Sequence, residues 1–172
     1  MASLMDTMID VLYKEEEEYR RLIDLSNEKT TVIVQGDLDK LAQVTEKEQV
    51  IVERIQKYEK IRMQTSKDIA EVTNHDPSTM NLQELIRIMD TRPVEQAKLR
   101  EVHDKLKETL SAMVKVNERN KELLKNSLEM VEFEMNLLNS MRRAPETGDY
   151  NKNAYSTGNI MGSGTKRFDA SQ

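Results

Sequence analysis

The sequence predicts an all-α protein: an elongated antiparallel helical bundle or coiled coil of three long helices plus one short linker helix, followed by a flexible C-terminal tail. Three observations lead there. Of the 172 residues, 33% are charged and 37% hydrophobic, with five Gly, three Pro and no Trp, a balance that suits long solvated helices better than a deep spherical core. Apolar residues recur every three or four positions through long stretches without Gly or Pro. Beyond Pro145 the composition shifts, and residues 146–172 hold Gly148, Gly158, Gly162 and Gly164 but few apolar residues. No helical face can form there, so the boundary is drawn between a bundle at 1–144 and a tail at 145–172.

The first helix is expected over residues 4–34. Leu4, Met8, Val11, Leu12, Tyr19, Leu22 and Leu25 line one side, and Glu16–Arg20 and Glu17–Arg21 pair across one turn on the other. The run Glu15–Glu18 falls on successive faces and reads as solvated surface. Thr30 to Val34 is β-branched and weakens helix propensity locally, but the helix is carried through it. Gln35-Gly36-Asp37 ends it: Gly36 suits the left-handed position after a helix, and Asp37 can cap the next one. So short a turn makes the flanking helices antiparallel neighbours.

The second helix is expected from Leu38 to about Val72. Its seam is Leu38, Leu41, Val44, Glu48, Ile51, Ile55, Tyr58 and Arg62, with Val52, Ile61 and Ile69 alongside. Glu48 and Arg62 are odd on such a seam and read as edge positions with buried stems. Asn74-His75-Asp76-Pro77-Ser78 is a loop by composition. Asn81-Leu82-Gln83-Glu84 resembles a capping box and opens a short helix carrying Leu82, Leu85, Ile86 and Met89, which stops before Thr91-Arg92-Pro93.

The last helix is expected from Pro93, with Thr91 as a cap, to Arg143, before Pro145. At 1.5 Å per residue it would be roughly 75 Å long, which predicts a rod. Its stripe reads Leu99, Val102, Leu106, Leu110, Met113, then Asn117 and Asn120, then Leu124, Leu128, Val131, Met135 and Leu138. Between 128 and 141, Met130, Phe133, Leu137 and Met141 widen the stripe beyond one seam. Either two helices flank this end, or it is a surface left for a partner, where flexible Met side chains repack easily. Asn117 and Asn120 either fix helix register or recognise a partner's backbone.

Several chemistries are excluded. A net charge of −5 and a pI near 5.3 argue against nucleic acid and against anionic membrane. Without Cys there is no disulfide, thiolate nucleophile or zinc ribbon. No apolar run approaches the roughly 18 residues needed to span a bilayer, and Asp6 and Asp10 interrupt any signal peptide, so a cytoplasmic protein is expected. His75 and His103 complete no Glu-x-x-His pair, which removes a di-iron bundle. Gly162-Ser-Gly-Thr-Lys166 lacks the order and context of a phosphate loop. No catalytic constellation, metal set or cofactor site is found, which sets aside an enzyme on a helical bundle.

The pattern resembles the FlgN family of flagellar export chaperones. The Glu-rich first helix, Gly36-Asp37-Leu38-x-x-Leu41, Glu53-Arg54, Lys60-x-Arg62 and the short linker helix carry the resemblance. So do Asn117-Glu-Arg-Asn120-Lys-Glu-Leu-Leu124-Lys-Asn-Ser-Leu128, the tail tyrosine at Tyr150 or Tyr155, and Lys166-Arg-Phe-Asp169. The resemblance implies a cytoplasmic chaperone without ATPase activity and without a cofactor. It would bind the C-terminal segments of FlgK- and FlgL-like hook-associated proteins, prevent their premature assembly and present them to an FlhA-like export gate. Client contacts are then expected at Asn117, Asn120, Leu124, Leu128, Val131, Met135, Leu138 and Met141, and gate docking at Tyr150 and Tyr155. The chain is expected to be a monomer or weak homodimer. The alternative is a structural coiled coil that homo-oligomerises through the apolar end of its last helix.

Overall fold

Gly36 takes φ +68°, a conformation that costs L-residues with a Cβ, and there the first helix gives way to the second. The computed structural model describes residues 2–142, with side chains from Leu4 onward. Four helices succeed one another: α1 Ala2–Gln35, α2 Leu38–Val72, α3 Leu82–Ile88 and α4 Pro93–Arg142. No strand occurs among the described residues. The expected tail, Tyr150 and Tyr155 included, lies outside them, as does Arg143. None of the described helices is long and apolar enough to cross a membrane.

The punctuation behaves as its chemistry dictates. Asp37 caps α2, its carboxylate accepting from Lys40 N at 3.0 Å, and that bond holds its carboxyl below the usual range. Asn81 caps α3, accepting from Glu84 N at 2.9 Å. At α4 the first backbone bond runs from Gln96 N to Arg92 O at 3.0 Å, so Arg92 rather than Thr91 holds the cap position. The β-branched run stays helical because Val32 and Ile33 are buried; tertiary packing outweighs propensity here. No atom lies within 4 Å of where a Cβ on Gly36 would stand, so Gly36→Ala should cost only the conformational penalty, roughly 1–2 kcal/mol. A urea-unfolding midpoint would read it, and no change would mean the turn relaxes freely.

Cross-helix contacts fix the directions. Glu15 meets Arg62 at 3.1 Å and Lys29 meets Glu48 at 2.7 Å, so α2 runs antiparallel to α1. Glu16 meets Thr109, 93 positions further along the chain, and Thr30 meets Asn120, 90 positions further; a near-constant offset means that α4 runs parallel to α1. Two apolar clusters form. One joins Met5, Met8, Ile9 and Leu12 of α1 to Ile69 and Ala70 of α2, Leu85 and Ile86 of α3, and Leu99, Val102 and Leu106 of α4. The other joins Leu22, Ile51, Ile55 and Met113.

Between the clusters lies a charged layer, which corrects the expectation of a solvated acidic surface. Glu15, Glu16 and Glu18 are buried, and of that run only Glu17 is exposed. Cations reaching in from the surface make the burial tolerable. Arg20 donates to both oxygens of Glu16, at 2.8 and 2.6 Å, and the Thr109 hydroxyl donates to it at 3.1 Å. Arg21 donates to Glu18 at 2.7 Å, with Arg54 3.8 Å away. Burial acts to raise the Glu16 carboxyl, but the hydrogen bonds from Arg20 and Thr109 and the nearby cations leave it lowered. Glu15 goes the other way: burial raises it, and the charge of Arg62 opposes this only in part.

The Glu15 shift has a sign that can be tested. From the ordinary carboxyl value of 4.5 upward to its raised value, the folded state keeps a proton that the unfolded state has released. Stability therefore falls as pH rises through that window. Glu15→Gln is expected to flatten this decline, seen as urea midpoints that change less with pH; an unaltered slope would exclude Glu15 as its source.

Three apolar seam expectations also need correcting. Leu38 is 76% exposed and Ile61 37%, at the margin of the α2 seam. In α4 the inward residue after Leu106 is Thr109 rather than Leu110, which is 40% exposed. The hydroxyl of Thr109 bonds to buried Glu16, and a leucine one position on has no such partner.

The chain divides into two compact units, Met1–Glu132 and Phe133–Gln172. The apolar clusters and the charged layer belong to the first. Of the second, the described part is helical, residues 133–142 of α4.

Candidate functional site

The offset between α1 and α4 sets up the site. With Thr30 level with Asn120, the end of α1 at Gln35 falls opposite roughly residues 124–129 of α4. α4 thus loses its neighbour just where its stripe turns most apolar. Leu124 is half-buried, while Leu128, Met130 and Val131 are exposed, Leu128 by 65%.

On the way to that end the three long helices leave an open groove of about 630 Å³. Its apolar lining is Leu22 from α1, Val52 from α2, and Met113, Leu124 and Leu128 from α4. Ser26, Lys29, Glu48, Asn117, Asn120, Lys121 and Lys125 complete it. Glu48 sits at this seam because α1 supplies its partners: the Ser26 hydroxyl donates at 3.0 Å and Lys29 Nζ at 2.7 Å. The oddity of a glutamate on the α2 seam was therefore a signal of the groove.

The two asparagines part company. Asn120 is buried; its amide N–H donates to Ser26 O at 2.7 Å and its carbonyl oxygen lies 2.5 Å from the Thr30 hydroxyl. Both polar groups are engaged by α1, which ties the register of α4 to it. Asn117 is exposed at the mouth of the groove, where its amide can donate and accept. Arg119 clamps α4 to α1 beside the groove, donating to Asn27 at 3.0 Å.

Of the expected client contacts, the groove thus gathers Asn117, Asn120, Leu124 and Leu128. Val131 is exposed further along α4. In the second unit Met135, Leu138 and Met141 are 56%, 52% and 68% exposed, with Phe133 and Leu137 likewise. The apolar residues of α4 at 128–131 in the first unit are thus exposed, and so, within the second, are those at 133–141. Leu22, Val52, Met113 and the three lysines were not anticipated, since the offset that brings α1 and α2 beside α4 is not written in any one stretch. Among the described residues no His, Cys, Asp or Glu group has an arrangement that would hold a metal ion.

An open groove with an apolar floor, walled by three helices and bordered by polar side chains, has the form that helix-in-groove recognition uses; the fold is an all-α bundle of three long helices and a short one. The chain belongs to the FlgN family: the family model described as FlgN protein matches residues 1–156. The match takes in every described helix, the whole groove and both Tyr150 and Tyr155, and stops short of Lys166-Arg-Phe-Asp169. FlgN proteins are non-enzymatic flagellar export chaperones for hook-associated proteins. No curated protein and no solved structure was found to match the chain.

Proposed function

We propose that this protein is a cytoplasmic export chaperone that binds the C-terminal helical segments of FlgK- and FlgL-like hook-associated proteins. It holds back their premature assembly and delivers them to an FlhA-like gate of the flagellar type III export apparatus. The observation that carries this reading is the groove: an apolar floor of Leu22, Val52, Met113, Leu124 and Leu128 that stays open to solvent. A terminal helix that would otherwise self-associate buries its apolar stripe on such a floor, and Asn117 offers a hydrogen bond at its edge. Exposed Val131, Met135, Leu138 and Met141 are further candidate contacts on α4. Residues 1–144 serve as the chaperone body and 145–172 as the tail, with Tyr150 and Tyr155 as aromatic anchors for the gate.

Sedimentation velocity of the full chain, alone and with a synthetic C-terminal peptide of a hook-associated protein, tests the reading. A 1:1 complex is expected. A stable homodimer that ignores the peptide would overturn it in favour of a self-associating coiled coil, which the exposed apolar row at 128–141 also suits.

A further inference from the structure

We infer that the groove selects an amphipathic helix whose apolar stripe is bordered by acidic side chains. This rests on the groove being the client seat and specifies the chemistry of the occupant.

Four charged residues line the groove: Lys29, Glu48, Lys121 and Lys125. Lys29 and Glu48 are closed on each other, 2.7 Å apart, with side chains only 20% and 14% exposed. Ser26 adds a third contact to that carboxylate. Once this pair is set aside, the remaining charge is positive and lies on one wall. Lys121 and Lys125 stand one turn apart on α4, both exposed. Lys121 forms no ion pair among the described residues. Lys125 has Glu129 at 3.8 Å, both side chains well exposed, at 74% and 62%; such a pair is loose and easily exchanged.

The rim therefore has the opposite sign to the chain, whose net charge is −5. Over long distances the whole molecule repels an acidic partner, but at contact the nearest charges decide, because salt screens beyond about 8–10 Å. A helix seated on the apolar floor presents the residues that flank its stripe to the two ammonium groups. Glutamates there gain charge-assisted contacts while the lysine stems cover apolar surface beside the stripe. Lysines there meet like charge at a partly dehydrated edge, the repulsive element that specificity needs. The walls from α1 and α2 discriminate little, since Glu48 is already neutralised by Lys29, and Asn117, one turn before Lys121 on α4, carries no charge.

The test uses the full chain and two synthetic helices with the same leucine stripe, one flanked by Glu and one by Lys, measured by titration calorimetry. The Glu-flanked helix is expected to bind about tenfold tighter at low salt, with the ratio shrinking several-fold at about 0.5 M salt. The double variant Lys121→Glu with Lys125→Glu should invert the order with little change in melting temperature, as both side chains are exposed to solvent. Equal affinities, a salt-independent ratio, or an order unchanged by the double variant would each overturn the inference. A client C-terminal peptide that still binds while the charge variants make no difference would overturn the inference alone. Binding of neither client peptide nor either synthetic helix would overturn the chaperone reading with it.

Discussion

Leu128→Asp is expected to weaken binding of a client C-terminal peptide by about a hundredfold while leaving the thermal midpoint nearly unchanged. Two terms combine. A leucine fully buried by an incoming helix contributes about 1.5–3 kcal/mol, and a carboxylate forced into the same apolar contact adds a desolvation penalty. Each factor of ten corresponds to about 1.4 kcal/mol, so a hundredfold is a conservative sum. The free protein loses little, because Leu128 is already 65% exposed and surface substitutions usually stay within about 0.5 kcal/mol. Calorimetric titration beside a thermal melt checks both halves. Undiminished affinity would move the client off the groove, and a large drop in melting temperature would show that Leu128 is packed against a second copy in solution.

Leu99→Ala should do the reverse. Leu99 is fully buried, in the cluster where α3 and α4 close over the N-terminal turns of α1. Removing its branched end leaves a cavity in the cluster that it shares with Met5, Met8 and Leu85. Such truncations cost about 2–5 kcal/mol. For a chain of this size about 3 kcal/mol lowers the melting temperature by roughly 6–12 °C. Well below that temperature client affinity should hold, since Leu99 is not among the residues lining the groove. A parallel fall in affinity would mean that the groove depends on this cluster for its shape.

How much of this could be read from the chain differs from residue to residue. The helix boundaries were legible because Gly36, Asp37, Asn81 and Pro93 act through their own backbones, within a few positions of where their effect appears. Glu15, Glu16 and Glu18 were misread for the opposite reason. What allows a carboxylate to be buried is a cation or hydroxyl from elsewhere, here Arg54 and Arg62 on α2 and Thr109 on α4. Local charge patterning cannot see them. The groove was half legible: its α4 wall comes from periodicity at Asn117, Leu124 and Leu128. Its other walls depend on an offset of about ninety residues between α1 and α4, which only packing sets. Asn120 shows the same limit, since its burial and its bonds to Ser26 and Thr30 on α1 cannot be read from spacing.

The layer of Glu15, Glu16 and Glu18 lies between two apolar clusters that share only half-buried Tyr19 among the described residues, and it has a mechanical consequence. Apolar contacts tolerate small slips between neighbours, whereas a buried ion pair such as Glu15–Arg62 at 3.1 Å is favourable only in a narrow range of alignments. The hairpin end, with the smaller cluster at Leu22, Ile51, Ile55 and Met113, should therefore breathe without dragging the α3 end along. Deuterium uptake is expected to run faster in the amides of residues 20–58 than in those of residues 95–106. Joining the halves with apolar substitutes for Glu15 and Arg62 should slow the first set toward the second.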